Sequence, residues 1–290
     1  MNKIDVREII PLLDLEEIDN NLFRGLSPEE PRPRVFGGQV VGQALVAAYR
    51  TVQGRMAHSL HSYFLRPGDP SIPILYDVDR IRDGKSFTTR RVNAIQRGEA
   101  IFSMMVSFQV PEVGLEHHIP MPSVPAPETL PNSEELLSKL AERTSGRERV
   151  ILEAVKTLAR PIEERDVTPT DWVNPVKRVP ENRVWMRANG TLPDDPIIHQ
   201  CVAAYASDLS LLDSCLAVHG RSWMDATMQV VSIDHSMWFH HPCRADQWML
   251  YVQQSPASAG SRGLNFGHLY AQDGKLLISV AQEGLIRVNE

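Results

Sequence analysis

FGGQVVGQALVAAY, residues 36–49, runs for fourteen residues without a formal charge. A helix that is apolar almost all round has to be enclosed by other structure. IIHQCVAAYASDLSLLDSCLAV, residues 197–218, has the same character, with Asp208 and Asp213 set into it. Strand-like segments follow each stretch in the same order. After the first come HSLHSYFLRPG (58–68), IPILYDVDRIRDG (72–84), SFTTRRVNAIQRG (86–98) and AIFSMMVSFQVP (100–111). After the second come MQVVSIDHSMWFHHP (228–242), WMLYVQQSPAS (248–258), RGLNFGHLYAQDG (262–274) and KLLISVAQEGLIR (275–287). The last two segments of each set meet across a short turn, Gln96-Arg97-Gly98 or Asp273-Gly274, and Asp-Gly between alternating runs is a strong hairpin signal. His61 and His235 lie 174 positions apart, and Gly98 and Gly274 lie 176 apart. Similar offsets at separate landmarks indicate an internal duplication.

Each copy reads as a short strand (around Leu22–Gly25 and Arg183–Gly190), one long apolar helix, then a strand meander. Antiparallel sheets commonly present one apolar face, which here would wrap the helix. The expected fold class is α+β, two similar units side by side with their sheets joined. The expected division is residues 1–110, a connection over 111–165, and 166–290. Residues 111–132 hold six prolines and read as a linker rather than packed structure. Ser133–Arg160 reads as helical, PIEERDVTPTDWVNP (161–175) as irregular connection, and Ile4–Ile18 as the place of a short helix.

A formal net charge of −6, a pI near 5.9 and the lack of any Lys/Arg-rich cluster argue against a nucleic-acid binder. No segment approaches the roughly 18–20 apolar residues of a membrane span. The opening MNKIDVREII does not read as a signal peptide, nor Val288-Asn289-Glu290 as a peroxisomal Ser-Lys-Leu-type signal. Cys201, Cys215 and Cys243 form no CxxC arrangement, which suits a reducing compartment and offers no metal site. A cytoplasmic protein without metal or cofactor is expected. G-x-S-x-G, the Walker phosphate loop, G-x-G-x-x-G and HExxH are all missing. His240 and His241 read as surface residues at a strand end.

What remains are polar residues inside apolar elements. Ile198, Val202, Tyr205, Leu209, Leu212 and Leu216 form a helical stripe. At 100° per residue Asp208 lies about 75° off its centre, with Asp213 on the opposite flank, so geometry does not choose between them. Both also fit boundary carboxylates bonded to nearby loops. In KLLISVAQEGLIR one strand face reads Leu276, Ile278, Val280, Gln282, which puts a carboxamide on the buried side, where it needs partners. A core glutamine bonded to backbone, or a frayed strand end, would read the same. Nothing in the alternation marks Ser232. Gly37-Gly38-Gln39 opens the first helix, where glycine would let a carbonyl oxygen or anion reach backbone N–H groups. A tight turn alone would also want glycine.

Several ordered motifs resemble the type II acyl-CoA thioesterases, a family with two fused hot-dog folds. They are Phe23-Arg24-Gly25 with Val35-Phe36-Gly37-Gly38-Gln39, the run from His61 to Gly68, and that from Gly84 to Val92. In the second half they are Ala204-Tyr205-Ala206-Ser207-Asp208, the run from Ser232 to His240, and Gln282-Glu283-Gly284. The resemblance implies a tandem hot-dog fold that hydrolyses fatty acyl-CoA thioesters to free acid and CoA. The family's Asp, Thr or Ser, and Gln around a water become Asp208, Ser232 and Gln282, with no covalent acyl-enzyme. Ser232 departs from members with threonine but keeps the hydroxyl. Gly37, Gly38, Gln39 and His61 fall to the substrate. Gln43 and Val106 stand at the places of Asp208 and Gln282 in the first copy, which implies one working site, in the C-terminal half.

An enoyl-CoA hydratase pairing an Asp with His61 or His235, and a non-catalytic acyl-CoA binder, are the competing readings. Arg262, Arg66 and Lys85 are either phosphate contacts or solvated surface cations. A homo-oligomer, dimer or tetramer, is expected because sheet edges self-associate.

Overall fold

The computed structural model describes residues 8–28, 33–157 and 161–289. The first repeat comprises α1 (Ile9–Leu13), β1 (Glu16–Asp19), β2 (Leu22–Gly25), α2 (Gly37–Tyr49), β3 (Met56–Phe64), β4 (Ile74–Asp83), β5 (Phe87–Gln96) and β6 (Glu99–Gln109). Two helices follow, α3 (Ser133–Glu142) and α4 (Gly146–Thr157). The second repeat comprises β7 (Ile162–Asp166), β8 (Glu181–Ala188), α5 (Pro196–Ala206), α6 (Asp213–Ala217), β9 (Met228–Ser232), β10 (Asp234–Phe239), β11 (Met249–Ala259), β12 (Arg262–Ala271) and β13 (Leu276–Val288).

The strands form one antiparallel sheet in the order β1-β2-β4-β5-β6-β3-β10-β13-β12-β11-β8-β7, with β9 also paired to β13. Read outward from the β3–β10 seam, both sides are the same succession of elements. The duplication therefore sits in the topology, and its halves share a sheet, as the sequence led one to expect. This is the α+β double hot-dog architecture. The β5–β6 turn has the expected form: Arg97 and Gly98 both have positive φ, and Gln96 pairs with Glu99 across them.

The sheet encloses α2 and α5, which pack against each other. All of α2 except Gly37 and Val46 is buried. Two glycines on one face of α2 allow the contact. A Cβ on Gly38 would fall 2.3 Å from the Tyr205 carbonyl oxygen, and one on Gly42 3.3 Å from that of Cys201. Leu45 and Val41 are fully buried in the same core, each contributing on the order of 1.5–3 kcal/mol by burial. The buried amide of Gln43 is satisfied, donating to the Leu12 and Leu26 carbonyls and accepting from the Tyr76 hydroxyl.

Several expectations need correction. The second apolar stretch is not one helix: α5 stops at Ala206 and α6 begins at Asp213. The strand over 228–242 breaks at Ile233, whose N–H bonds to Glu283 and whose carbonyl accepts from Phe64. Ser133–Arg160 is two helices parted around Thr144, with residues 158–160 outside the described set. Ile162–Asp166 is an edge strand rather than irregular connection, and α1 gives way to β1 at Glu16, with residues 1–7 undescribed. The Pro-rich linker is packed in its second half, where Met121, Val124 and Leu130 lie against Trp185 and Trp248. Trp185 Nε1 also donates to the Pro125 carbonyl at 2.9 Å.

His61 and His235 are not equivalents. On the seam His235 pairs with Ser62, and His61 with Ser236. His61 is exposed and His235 fully buried, on opposite faces of the sheet. No helix among the described residues is long and apolar enough to cross a membrane.

Candidate active site

Asp208 stands two residues past the end of α5, where the chain turns instead of continuing the helix. Three groups fix that turn at Ser207. Its hydroxyl donates to the Ala204 carbonyl at 2.9 Å and lies 2.8 Å from His235 Nε2. The Tyr251 hydroxyl donates to the Ser207 carbonyl at 2.9 Å, taking an acceptor that the next helical turn would have used. The loop beyond is tied down from the sheet. Gln253 Nε2 donates to Ser210 Oγ at 2.8 Å, and Ser214 Oγ to Asn265 Oδ1 at 2.8 Å. The carboxylate is thus positioned by a clamped turn, not by the flank of a helix.

Ser232 and Gln282 meet it there. Gln282 Nε2 lies 2.5 Å from Asp208 Oδ1 and 3.0 Å from Ser232 Oγ, and Ser232 Oγ donates to Asp208 Oδ1 at 3.2 Å. Gln282 is fully buried beside Val280, as the strand alternation suggested, and among the described residues its Oε1 has no hydrogen-bond partner. The break at Ile233 puts Ser232 into this group, and no alternation pattern could have marked it. Desolvation pushes the half-buried Asp208 carboxyl up to about 6, against the pull of donors from Gln282, Ser232 and the Gly38 N–H.

The first repeat contributes directly. Gly37 lies against Asp208, and the Gly38 N–H at the start of α2 donates to it. The positive end of α2 therefore faces the carboxylate. The Gly38 N–H, expected to be open to a substrate oxygen, is engaged by Asp208 instead. Gln39 points elsewhere, donating to the Leu26 carbonyl and Ser27 Oγ.

The structure does not bring His61 to this group. Its ring packs against Trp238 and its Nδ1 lies 3.1 Å from Ser236 Oγ, on the outer face of the sheet. His235 reaches Ser207 rather than Asp208, and desolvation pushes its pKa down to about 3. Neither histidine forms the carboxylate–imidazole pair a hydratase would use. Asp213 is pushed up to about 7, by desolvation first and then by the Asp166 and Glu164 carboxylates. It begins α6, apart from the Ser232 and Gln282 donors.

In the first repeat the helix ends correspond, not the middles. Gln43 sits mid-helix on its own partners, whereas Tyr49 ends α2 and its hydroxyl accepts from the Ala57 N–H at 2.8 Å. Val106 is buried and apolar. The Tyr49 hydroxyl also donates to Gln200 Oε1 there.

Two cavities open onto Asp208. The larger, about 880 Å³, is lined by Arg34, Phe64, Arg66, Phe102, Val231 and Ser232 among others. The smaller, about 420 Å³, lies under α3, α4 and β7. Phe36, Asp208, Leu212, Trp223 and Val230 border both. Of the three cations weighed from sequence, Arg66 alone lines either one. Arg262 is paired with Glu283, and Lys85 is exposed. Sequence reasoning missed Tyr251, Gln253 and Asn265. All three are polar residues at inward strand positions, the same signal that singled out Gln282.

The profile of the acyl-CoA thioesterase family matches residues 157–285, and that of the acyl-CoA thioesterase N-terminal domain matches residues 27–109. The chain is 44% identical over 291 residues to acyl-coenzyme A thioesterase 8 of Homo sapiens, covering 98% of this chain and 91% of the relative. It is 40% identical over 286 residues to acyl-CoA thioesterase 2 of Haemophilus influenzae, covering 98% and 99%. Among solved structures it resembles an acyl-CoA thioesterase II from Mycobacterium marinum, with a TM-score of 0.78, 42% identity and coverage of 97% and 99%. A hot-dog-fold protein from Alicyclobacillus acidocaldarius, 17% identical with a TM-score of 0.74, bears on the fold alone.

Proposed function

The chain belongs to the type II acyl-CoA thioesterase family and is a thioester hydrolase acting on acyl-CoA; from that premise we propose that Asp208, Ser232 and Gln282 activate the water that does so. The substrate class we infer is fatty acyl-CoA. A thioester carbonyl is more electrophilic than an ester carbonyl and CoA is a good leaving group, so an oriented water suffices without a covalent acyl-enzyme. The water oxygen bonds to the carbonyl carbon as Asp208 takes its proton. The C–S bond then breaks, the sulfur leaves with the electron pair and receives that proton, and the carboxylic acid departs. Ser232 and Gln282 orient the water by hydrogen bonding, and the unpartnered Gln282 Oε1 is suited to accept from it.

The positive end of α2 faces the carboxylate, and the Gly38 N–H helps hold Asp208 in place for the proton transfer. A carboxylate with a pKa raised to about 6 is a better base than an ordinary aspartate and is still ionised at neutral pH.

The observation that supports this reading is the hydrogen-bonded triangle of carboxylate, hydroxyl and amide at the junction of two cavities. The test is incubation with saturated and 2-enoyl CoA esters while following free thiol. Thiol release lost in Asp208→Asn supports it; hydration without thiol release would support the hydratase alternative. We further read the chain as two hot-dog domains, 1–110 and 166–290, with one working site per chain. Self-association as a dimer or tetramer is part of the same proposal, checked by sedimentation velocity.

A further inference from the structure

Ser232 reaches Asp208 because the strand that carries it holds one residue more than its partner strand. Resting on the reading of Asp208, Ser232 and Gln282 as the reacting group, we propose that Asp234 is a positioning residue for it. Its carboxylate stands in for a main-chain carbonyl and locks a β-bulge that aims the Ser232 hydroxyl at Asp208.

The bulge is visible in the register. β9 pairs with β13 at Ser232↔Gly284 and Val231↔Leu285, and β10 pairs with the same strand at Ser236↔Ala281 and Met237↔Val280. Between Ser232 and Ser236 lie Ile233, Asp234 and His235, whereas between Gly284 and Ala281 lie only Glu283 and Gln282. Three residues oppose two, and the extra one exchanges the faces of everything before it. His235, Met237 and Phe239 are buried on the core side of β10, so unbroken alternation would turn Ser232 outward with Asp234 and Ser236. With the bulge, Ser232 shares the face of its partner Gly284, and hence that of Gln282.

Such a bulge disrupts the hydrogen-bond ladder, and Asp234 repairs it. In a regular antiparallel pair a residue turns its N–H and its carbonyl to the same neighbouring strand. Ile233 divides them. Its N–H donates to the Glu283 carbonyl of β13 at 2.9 Å, while its carbonyl accepts from the Phe64 N–H on the β3 side at 2.9 Å. The Glu283 N–H thereby loses the carbonyl that would have paired with it, and a partly buried backbone donor is seldom left unpaired. Asp234 Oδ1 accepts from it at 2.7 Å. Gln282 needs no such help, because β12 holds it in the ladder opposite Asn265. Asp234 therefore acts on the site through Ser232. What the contact requires is an acceptor oxygen at that place, not a negative charge.

Substitutions at 234 separate the two, read by thiol release and thermal melts. Asp234→Asn keeps the oxygen and removes the charge. Asp234→Glu keeps the charge and moves the oxygen by one methylene, and Asp234→Ala removes both. The expected kcat is within about threefold of the parent for Asn and lower by about tenfold to 10²-fold for Glu and Ala, with KM nearly unchanged. An Asn variant as impaired as the Ala variant would make the charge the operative feature and overturn the proposal. Should the Ala variant fail to fold, Asn against Glu decides alone.

In a Ser232→Ala background Asp234→Glu is expected to cost no more than about twofold further, because the group it aims is already gone. An undiminished loss in that background would overturn the proposal. A Ser232→Ala protein as active as its parent would instead remove Ser232 from the catalytic reading. The crystal structure of Asp234→Glu then still decides the positioning claim: Ser232 Oγ swings out of hydrogen-bond distance of Asp208 if it holds, and stays in place if it does not.

Discussion

Gly37 in the first repeat and Asp208 in the second are in direct contact: a Cβ built on Gly37 would lie 2.6 Å from Asp208 Oδ2. The carboxylate leaves no room for a methyl group, and the Phe64 ring at 3.0 Å closes the other side. Gly37→Ala therefore displaces the carboxylate or the start of α2. Misplacing a reacting group by about 1 Å can cost about 10²-fold, and kcat/KM is expected to fall by that order with the fold retained. Steady-state kinetics beside circular dichroism checks this.

The pH dependence follows from the burial of Asp208. A general base works only when ionised, and this carboxyl is pushed up to about 6. We expect kcat/KM to rise with pH through about 6 and level off above it. A profile flat from about pH 5 upward would mean that the base titrates like an ordinary aspartate and that burial does not raise Asp208.

Asp213 gives a stability prediction of definite sign. Its folded pKa, about 7, lies above the unfolded value of 3.8, so the folded state binds the proton more tightly. Stability from this group falls as pH rises from about 4 to about 7 and stays low above that. Asp213→Asn is therefore expected to stabilise the fold at about pH 8 by on the order of 1–3 kcal/mol, read as a higher melting temperature, with the gain fading toward about pH 4. Thermal melts at the two pH values decide it.

Tyr251 acts on Asp208 through Ser207. Tyr251→Phe removes the donor to the Ser207 carbonyl and leaves a buried acceptor unsatisfied, at a cost of about 1–3 kcal/mol. Because the hydroxyl holds the turn that aims the carboxylate, kcat is expected to fall while KM changes little. A fall in stability with kcat intact would reduce Tyr251 to a structural residue.

Much of this was legible from one strand of reasoning. Apolar runs gave α2 and α5, alternation and Asp-Gly turns gave the hairpins, and repeated order gave the duplication. The inward position of Gln282 also followed from alternation. Three things did not follow, each for a physical reason. The stripe from Ile198 to Leu216 keeps helical spacing through a break, because the break is made by Tyr251 and His235, which are remote in sequence. Ser232 turns inward only because β13 engages Ile233 and Asp234 as separate partners, Glu283 donating its N–H to Asp234. His61 and His235 share a local motif yet face opposite ways, since a one-residue change of register reverses a strand's faces. Long-range contacts decided the site's details, and periodicity decided its frame.

The central claim is that Asp208 takes the proton from the attacking water. Its most direct test is the pH profile of kcat/KM for Asp208→Asn against the unmodified protein, with one acyl-CoA and thiol release as readout. A loss of about 10²–10⁴-fold, with the rise near pH 6 gone, is the expected result. A variant within about fivefold of the parent that keeps the rise would contradict the account, because a group worth so little is not the general base.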